Sequence, residues 1–177
     1  MSAQTKLKRT LGAWDGKSRN GIEAVFDAWH KQRGFAAMLL PLCREPKYQT
    51  GATWLLKHAM ESKRLTGTDV EKQLLRQLHD LVVPEAQLHV LQIFDRLSIP
   101  GGSARAAERF ARRCIESTNK FVSAWGYSAF HALADQHPRF RDEAVKLLEM
   151  GARDGPASTR ARIRRLEAKG FKDTVSR

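Results

Sequence analysis

The parts of this sequence that could do chemistry are two clusters of arginine residues, and the chemistry is the binding of anions. The first cluster, residues 158–170, reads STRARIRRLEAKG and places Arg160 and Arg164 one helical turn apart. A guanidinium group offers a planar fork of N–H donors that matches carboxylates and phosphates. Arg160 and Arg164 are therefore candidates for an anion site, such as one for a nucleic-acid backbone. The alternative is that they form the charged outer face of a last helix.

The second cluster lies in the stretch SARAAERFARRCIES. Its arginines repeat at helical spacing, with a fourth beside the row: Arg105, Arg109, Arg113 and the flanking Arg112. Like charges four residues apart repel each other on a helix, and a glutamate four residues from an arginine offsets that repulsion. Glu108 and Glu116 each stand four residues from Arg112. The row is therefore either a solvated helix face or a second anion-binding surface.

Other catalytic chemistry is not indicated. The histidines show no HExxH spacing, and the sequence has no P-loop, GxGxxG or GxSxG pattern. Cys43 and Cys114 lie within apolar helical patterns, which predicts buried thiols rather than a metal or redox site. Trp54 and Trp125 are expected to pack in the core, or else to form the aromatic walls of a groove. We expect no catalytic residue, no metal and no cofactor.

Composition points to a folded chain that attracts polyanions. The 177 residues include 31 Lys and Arg against 19 Asp and Glu, giving a formal net charge of +12. A hydrophobic content of 42% is enough for one domain with a substantial core. The N-terminus lacks the apolar stretch of a secretory signal, and no apolar run reaches the ~18 residues of a membrane span. We expect a cytoplasmic protein that does not enter a membrane.

The elements that must position the arginines are helices. Apolar residues recur with helical spacing along the chain, as in the stripe of Ile22, Val25, Phe26 and Trp29. Capping pairs are expected at Asn20 with Glu23 and at Thr68 with Glu71. These patterns predict an all-α fold of about eight or nine helices.

The helical patterns also predict how the domain is bounded. Residues 1–19 are basic and polar, so they are expected to be a mobile or loosely docked arm, with Leu7, Leu11 and Trp14 as candidate anchors. A single domain is expected over residues 20–170. Residues 171–177 follow as a short tail.

Alternate helices repeat. Four of them begin about 35 residues apart, and Trp54, Leu88 and Trp125 occupy matching places in the first three. A helical hairpin of this length cannot bury its apolar stripe alone, whereas stacked hairpins can. The period therefore predicts an α-solenoid.

Residues 121–165 resemble the HEAT-like repeat family. The likeness is a pattern of small and aromatic residues on one helix, a His137-Pro138 turn, and apolar residues on the partner helix. The matching residues of the two helices are Val122, Gly126, Ala129, Phe130, Leu133, Ala144, Leu147 and Leu148. The resemblance implies a right-handed stack with a concave binding face. It also implies that arginines opening the next helix pair with an acid of the neighbouring repeat, here Asp135 or Asp154.

The function expected from these patterns is that of a non-enzymatic binding or scaffold module. Members of the HEAT-like family bind proteins in most cases, so the resemblance implies a protein partner. The alternative is a nucleic acid held through the six arginines: Arg105, Arg109, Arg112, Arg113, Arg160 and Arg164. A HEAT-like DNA glycosylase is a more remote alternative, for which the sequence has no diagnostic motif.

Overall fold

The computed structural model describes residues 1–63 and 68–172, and over these ranges it is all-α, without a strand. Ten α-helices follow one another where about eight or nine were expected. They are α1 (Ala3–Gly12), α2 (Arg19–Trp29), α3 (Phe35–Leu42), α4 (Pro46–Glu61), α5 (Thr68–Arg76), α6 (Pro84–Gln92), α7 (Ala104–Ile115), α8 (Lys120–Gln136), α9 (Arg141–Asp154) and α10 (Ala157–Lys169). Short 3-10 turns lie at Leu78–Asp80, Phe94–Arg96, Gly101–Ser103 and Pro138–Phe140.

The additional helix is α1, which lies in the region that was expected to be a mobile or loosely docked arm. Its Leu7 and Leu11 are both buried, and the side chain of Ser2 caps it by accepting a hydrogen bond from the backbone N–H of Thr5. Two leucines four residues apart share one face of a helix, so together they anchor a segment that is otherwise polar. Two of the three candidate anchors are therefore buried, and the mobile or loosely docked arm stays a prediction.

The helix starts differ from the expected capping pairs. Ser18 rather than Asn20 caps α2, because its side chain accepts a hydrogen bond from the N–H of Gly21. The pair of Thr68 with Glu71 depends on the Thr68 side chain, which lies outside the described residues.

The chain divides into two compact units, Met1–Ile93 and Phe94–Arg177, each of which is described here by itself. In the first unit, α4 is central and packs against α1, α2, α3 and α6. Its buried Gln49 donates to the carbonyl of Asp80 and accepts from the N–H groups of Val82 and Val83. A buried amide is stable only when it is bonded in this way, so Gln49 fixes the segment before α6 to α4. The single domain expected over residues 20–170 stays a prediction.

In the second unit, α8 is central and packs against α7, α9 and α10. Glycine allows the closest approach: a Cβ on Gly126 would lie 2.7 Å from the backbone nitrogen of Ile115 at the end of α7. On another side of α8, Tyr127 packs in a small core with Leu148 of α9 and Ile163 of α10. Helix α8 therefore belongs to two contact regions, one with α7 and one with α9 and α10.

The end of the described chain folds back on α8. The Phe171 ring stacks on the ring of the buried His131, with centroids 4.6 Å apart. Arg141 donates to the carbonyl of Lys172, and the Lys172 N–H donates to Asp135, each at 2.6 Å. Of the expected tail, Phe171 and Lys172 thus have defined contacts, while residues 173–177 lie outside the described residues. In the described ranges, no helix combines the length and the apolar character that crossing a membrane requires.

Candidate binding surface

The α7 arginines have different surroundings, although they were predicted as one cluster. Arg105 and Arg109 are exposed, and within residues 1–63 and 68–172 neither forms an ion pair. The Arg113 guanidinium carbon lies 5.6 Å from the centre of the Phe110 ring on its own helix. These three side chains thus leave their charge on the outer surface of α7.

Arg112 is a structural residue. Its Nε donates to Glu108 at 3.1 Å, and its Nη2 forms an ion pair with Glu143 of α9. The guanidinium also lies 5.1 Å from the centre of the Phe130 ring on α8. The hydrogen bond that Arg112 donates to Glu143 raises the pKa of Arg112, and the one that it donates to Glu108 adds to the effect. Two carboxylates already compensate this cation, which makes it a poor receptor for an external anion.

The α10 arginines that were predicted as a site also differ from each other. Arg160 donates from Nη1 to the carbonyl of Gly155 at 2.8 Å, so part of its fork closes the turn before its own helix. Arg164 is exposed, and within the described part of the chain it has no carboxylate partner. Neither pairs with the expected acids, because Asp154 pairs with Arg153 and Asp135 with Lys172.

The six candidates are divided between two helices. Four lie on α7 and two on α10, and these helices each pack against α8. That the six bind an anion together stays a prediction.

A different arginine of α10 contacts an aromatic ring. The Arg162 guanidinium carbon lies 3.6 Å from the centre of the Trp125 ring on α8, and its Nη1 lies 3.4 Å from the Ser128 hydroxyl. Burial lowers the pKa of Arg162, and the neighbouring Arg165 lowers it further. Within the described residues, no carboxylate contacts this guanidinium. It is a half-buried cation without a counter-ion among residues 1–63 and 68–172.

Trp125 belongs to a stripe along α8. Phe121, Trp125, Ser128 and Ala132 recur with helical spacing, which places them on one side of the helix. Phe121 is 68% exposed, an unusual exposure for a large apolar residue. We define the α8–α10 face as this stripe together with Arg162 and Arg165 of α10.

The face continues into a cavity at its far end. This cavity has a volume of about 270 Å³, and Ala132 of α8 and Lys169 of α10 both line it. Two other cations, Arg96 and Lys172, line it as well, together with Asp95 and Asp135. Because Asp135 is already paired with Lys172, positive charge predominates at this end.

The spacing of residues in the sequence did not indicate the α8–α10 face as a site, although groove walls were an alternative expectation for the tryptophans. In the structure Trp125 is half-buried, and so is Trp54, whose ring stacks on His58 at 4.7 Å. Neither ring is fully enclosed in a core. One signal was available: Phe121 and Trp125 share a helical stripe that lies off the buried stripe of α8, which includes Val122, Ala129 and Leu133.

Burial limits the reactivity of the two cysteines and of His89. Cys43 and Cys114 are buried free thiols, and burial raises the pKa of each to about 12, so neither is a thiolate near neutral pH. Burial lowers the pKa of His89 to about 4. Among residues 1–63 and 68–172, no three His, Cys, Asp or Glu side chains are grouped so that they could hold a metal ion.

No family model, no curated protein and no solved structure matches this chain.

Proposed function

We propose that this chain is a non-enzymatic binding module and that the α8–α10 face docks a protein partner. The observation that carries the proposal is the Arg162 guanidinium, which lies over Trp125 and contacts no carboxylate in the described part of the chain. Tryptophan, phenylalanine and arginine are enriched in the energetically dominant parts of protein interfaces. Here the three residue types stand together on an accessible surface.

The partial desolvation of Arg162 would favour the binding of a partner at this position. Moving a charge out of water is unfavourable unless an opposite charge or a set of hydrogen bonds replaces the lost hydration. Arg162 has lost part of its hydration, and its pKa is lowered as a result. A partner that brings an acceptor to this guanidinium would supply the missing compensation, so binding would be favourable at this position.

A protein partner is favoured over nucleic acid by the distribution of the other arginines. Phosphate binding draws its affinity from several cations that each neutralise a phosphate along a track. Arg112 is already compensated by two glutamates, and Arg160 is partly used on Gly155. The alternative of nucleic acid rests on the exposed Arg105, Arg109 and Arg164.

We further propose that the helical pairs are HEAT-like hairpins of a right-handed α-solenoid. The contacts that support this are those between helices two apart in the chain, namely α4 with α6 in the first unit and α8 with α10 in the second. Such neighbours are expected when hairpins stack.

The proposal can be tested by affinity enrichment from an extract of the native cell, treated with nuclease. The bait is the full chain in three forms: the wild type, the double variant Phe121→Ala/Arg162→Gln, and the matched control Arg105→Gln/Arg109→Gln. We expect a protein that is retained by the wild type and the control and lost from the first variant. Equal recovery by all three baits would reject the α8–α10 face as the docking surface.

A second arm addresses the alternative. Binding of labelled duplex DNA is measured over a series of salt concentrations, because each phosphate contact contributes about −0.9 to the slope of log affinity against log salt. We expect weak binding that the α7 control variant, which removes two charges, reduces at least as much as the α8–α10 variant, which removes one. Tight binding that only one of the two variants removes would favour nucleic acid.

A further inference from the structure

The Arg162 side chain has unused hydrogen-bonding capacity. A guanidinium carries five N–H donors, and among the described residues only the Ser128 hydroxyl lies within hydrogen-bonding distance, at 3.4 Å. Trp125 covers a face of the guanidinium plane, which orients the group without satisfying its donors. An oriented, partly desolvated fork with free donors fits a planar carboxylate.

Positive charge predominates in the surroundings of Arg162. Arg165 follows it by three residues on α10 and lies close enough to lower its pKa. Lys169 follows by another turn and lines the cavity at the end of the face. Two acids line this cavity: Asp135, which is paired with Lys172, and Asp95, which is outnumbered by Arg96 and Lys169. A partner segment that lies along the face therefore meets uncompensated positive charge.

The dimensions of the face set the length of the segment. Phe121 and Ala132 are eleven residues apart on α8, which corresponds to about 16 Å at ~1.5 Å per residue. An extended peptide rises about 3.3 Å per residue, so about five residues cover this distance. Trp125 and Ser128, the two α8 residues that contact Arg162, lie within the first two-thirds of this distance. In the bound peptide, the carboxylate that meets Arg162 is therefore about two or three residues after the side chain that meets Phe121.

We infer that the α8–α10 face takes an extended acidic segment of a partner protein, with an apolar side chain on Phe121 and Trp125 and a carboxylate on Arg162. Further acidic residues of the segment lie toward Arg165 and Lys169. This inference rests on the proposed function and adds to it the chemistry of the partner.

The experiment uses a defined probe. A fluorescein-labelled peptide of about ten residues carries one leucine, then a spacer residue and three glutamates, flanked by glycine and serine. Its matched control has glutamine in place of every glutamate. Fluorescence polarisation with the full chain is measured at an ionic strength of about 0.15 M, where long-range attraction to a basic protein is largely screened.

We expect the acidic peptide to bind and the glutamine peptide to bind at least tenfold more weakly. Arg162→Gln should weaken binding of the acidic peptide about tenfold to a hundredfold, as for the loss of a hydrogen bond to a charged group. Phe121→Ala, an exposed site at which truncation should leave the fold intact, should weaken both peptides. Arg109→Gln removes the same charge from α7 and should change binding less than about twofold. Circular dichroism confirms that each variant is folded.

Three results would overturn the inference: equal affinity for the two peptides, equal loss in Arg109→Gln and Arg162→Gln, or no binding of either peptide. If extract enrichment still depends on Phe121 and Arg162 in any of these cases, the proposed function stands and only the acidic segment is wrong. A single-stranded oligonucleotide of equal charge serves as a third probe. If it binds more tightly than the acidic peptide and requires Arg162, both the inference and the protein partner are wrong.

Discussion

On each of two sides of helix α8, an arginine lies over one of the helix's aromatic rings. Carboxylates compensate the charge of one arginine, whereas no carboxylate in the described chain contacts the other. On one side, Arg112 of α7 lies over Phe130 and is bonded to Glu108 and Glu143. On the other, Arg162 of α10 lies over Trp125 and contacts the Ser128 hydroxyl. The pKa of Arg112 is raised by its glutamates, whereas the pKa of Arg162 is lowered by burial.

The contrast shows that arginine density is a poor guide to an anion site. The α7 cluster has more arginines than acids in its sequence, but its half-buried arginine, Arg112, is compensated by two carboxylates. Arg162 lies among α10 arginines that are more exposed than itself, and it combines partial burial with a lack of carboxylate contacts in the described chain. A charge that the fold compensates contributes to stability, and one that the fold leaves uncompensated is available to a partner.

The comparison depends on α8 being held closely against α7, and Gly126→Ala should disrupt that contact. The new Cβ would lie 2.7 Å from the backbone nitrogen of Ile115, which cannot move aside as a flexible side chain could. We expect a loss of about 2–3 kcal/mol in the free energy of unfolding, as for overpacking, even after the ~1 kcal/mol that alanine gains over glycine in a helix. Urea denaturation measures it.

Gly102→Ala is the matched control, because nothing lies within 4 Å of the position of its Cβ. It should change the free energy of unfolding by less than about 0.5 kcal/mol. If Gly126→Ala is equally neutral, α7 and α8 are not in the close contact on which the comparison depends.

In the first unit, His89 shows a third effect of burying a basic group: burial favours the neutral form. His89 bonds the Thr53 hydroxyl through Nδ1 at 3.0 Å. Burial lowers its pKa from 6.5 to about 4, and Lys57 contributes to the shift. As the pH falls, His89 is therefore protonated in the unfolded chain before it is protonated in the folded chain. Its contribution to stability is fully present above pH 6.5 and is lost as the pH falls toward 4.

We expect this titration to remove about 2 kcal/mol of unfolding free energy between pH 7.5 and pH 5. Urea denaturation of the wild type and of His89→Gln over this range tests it, because the variant should lose most of the dependence. The control is Gly102→Ala, which removes no titratable group and should keep the wild-type profile. Parallel profiles for the wild type and His89→Gln would contradict the expectation.

Arg112→Gln removes the compensated cation of the pair. Glu108 and Glu143 would then face each other without a positive charge, and Glu108 is 15% exposed at its side chain. Since Arg112 itself is 35% exposed, solvent screens the pair. We expect a loss of about 1 kcal/mol in unfolding free energy, measured beside Arg109→Gln, which should be near neutral. No difference between the two variants would mean that the glutamates contribute nothing at Arg112.

The helices could be predicted from sequence, because apolar periodicity is a local property that survives folding. Helix α1 was missed as part of the fold because two leucines give little periodic signal. Their burial depends on contacts with distant residues, such as that of Leu11 with Gly51. The close approaches at Gly126 and Gly151 are likewise properties of helix pairs, which a linear sequence does not specify.

The candidate face was harder to predict for the same reason. Arg162 and Trp125 are far apart in the chain, and their contact exists only because α10 packs against α8. The sequence could select arginines by their spacing, but it could not distinguish Arg112, which meets Glu143 of α9, from Arg162, which meets no carboxylate in the described chain.

Arg162→Gln should have the smallest effect on stability, and it tests the comparison most directly. Burial and Arg165 both disfavour the charge on Arg162, so its removal relieves an unfavourable term. The loss of stacking on Trp125 opposes this gain, since cation–π contacts at accessible sites contribute about 0.5–1 kcal/mol. We expect the two effects nearly to cancel, with a net change in unfolding free energy below about 0.5 kcal/mol in either direction.

Urea denaturation of Arg162→Gln and Arg112→Gln in the same buffer gives the contrast. A loss above about 1 kcal/mol for Arg162→Gln would mean that the fold depends on this guanidinium as it does on that of Arg112. The asymmetry between the two sides of α8, and with it the reason to expect a partner at Arg162, would then disappear.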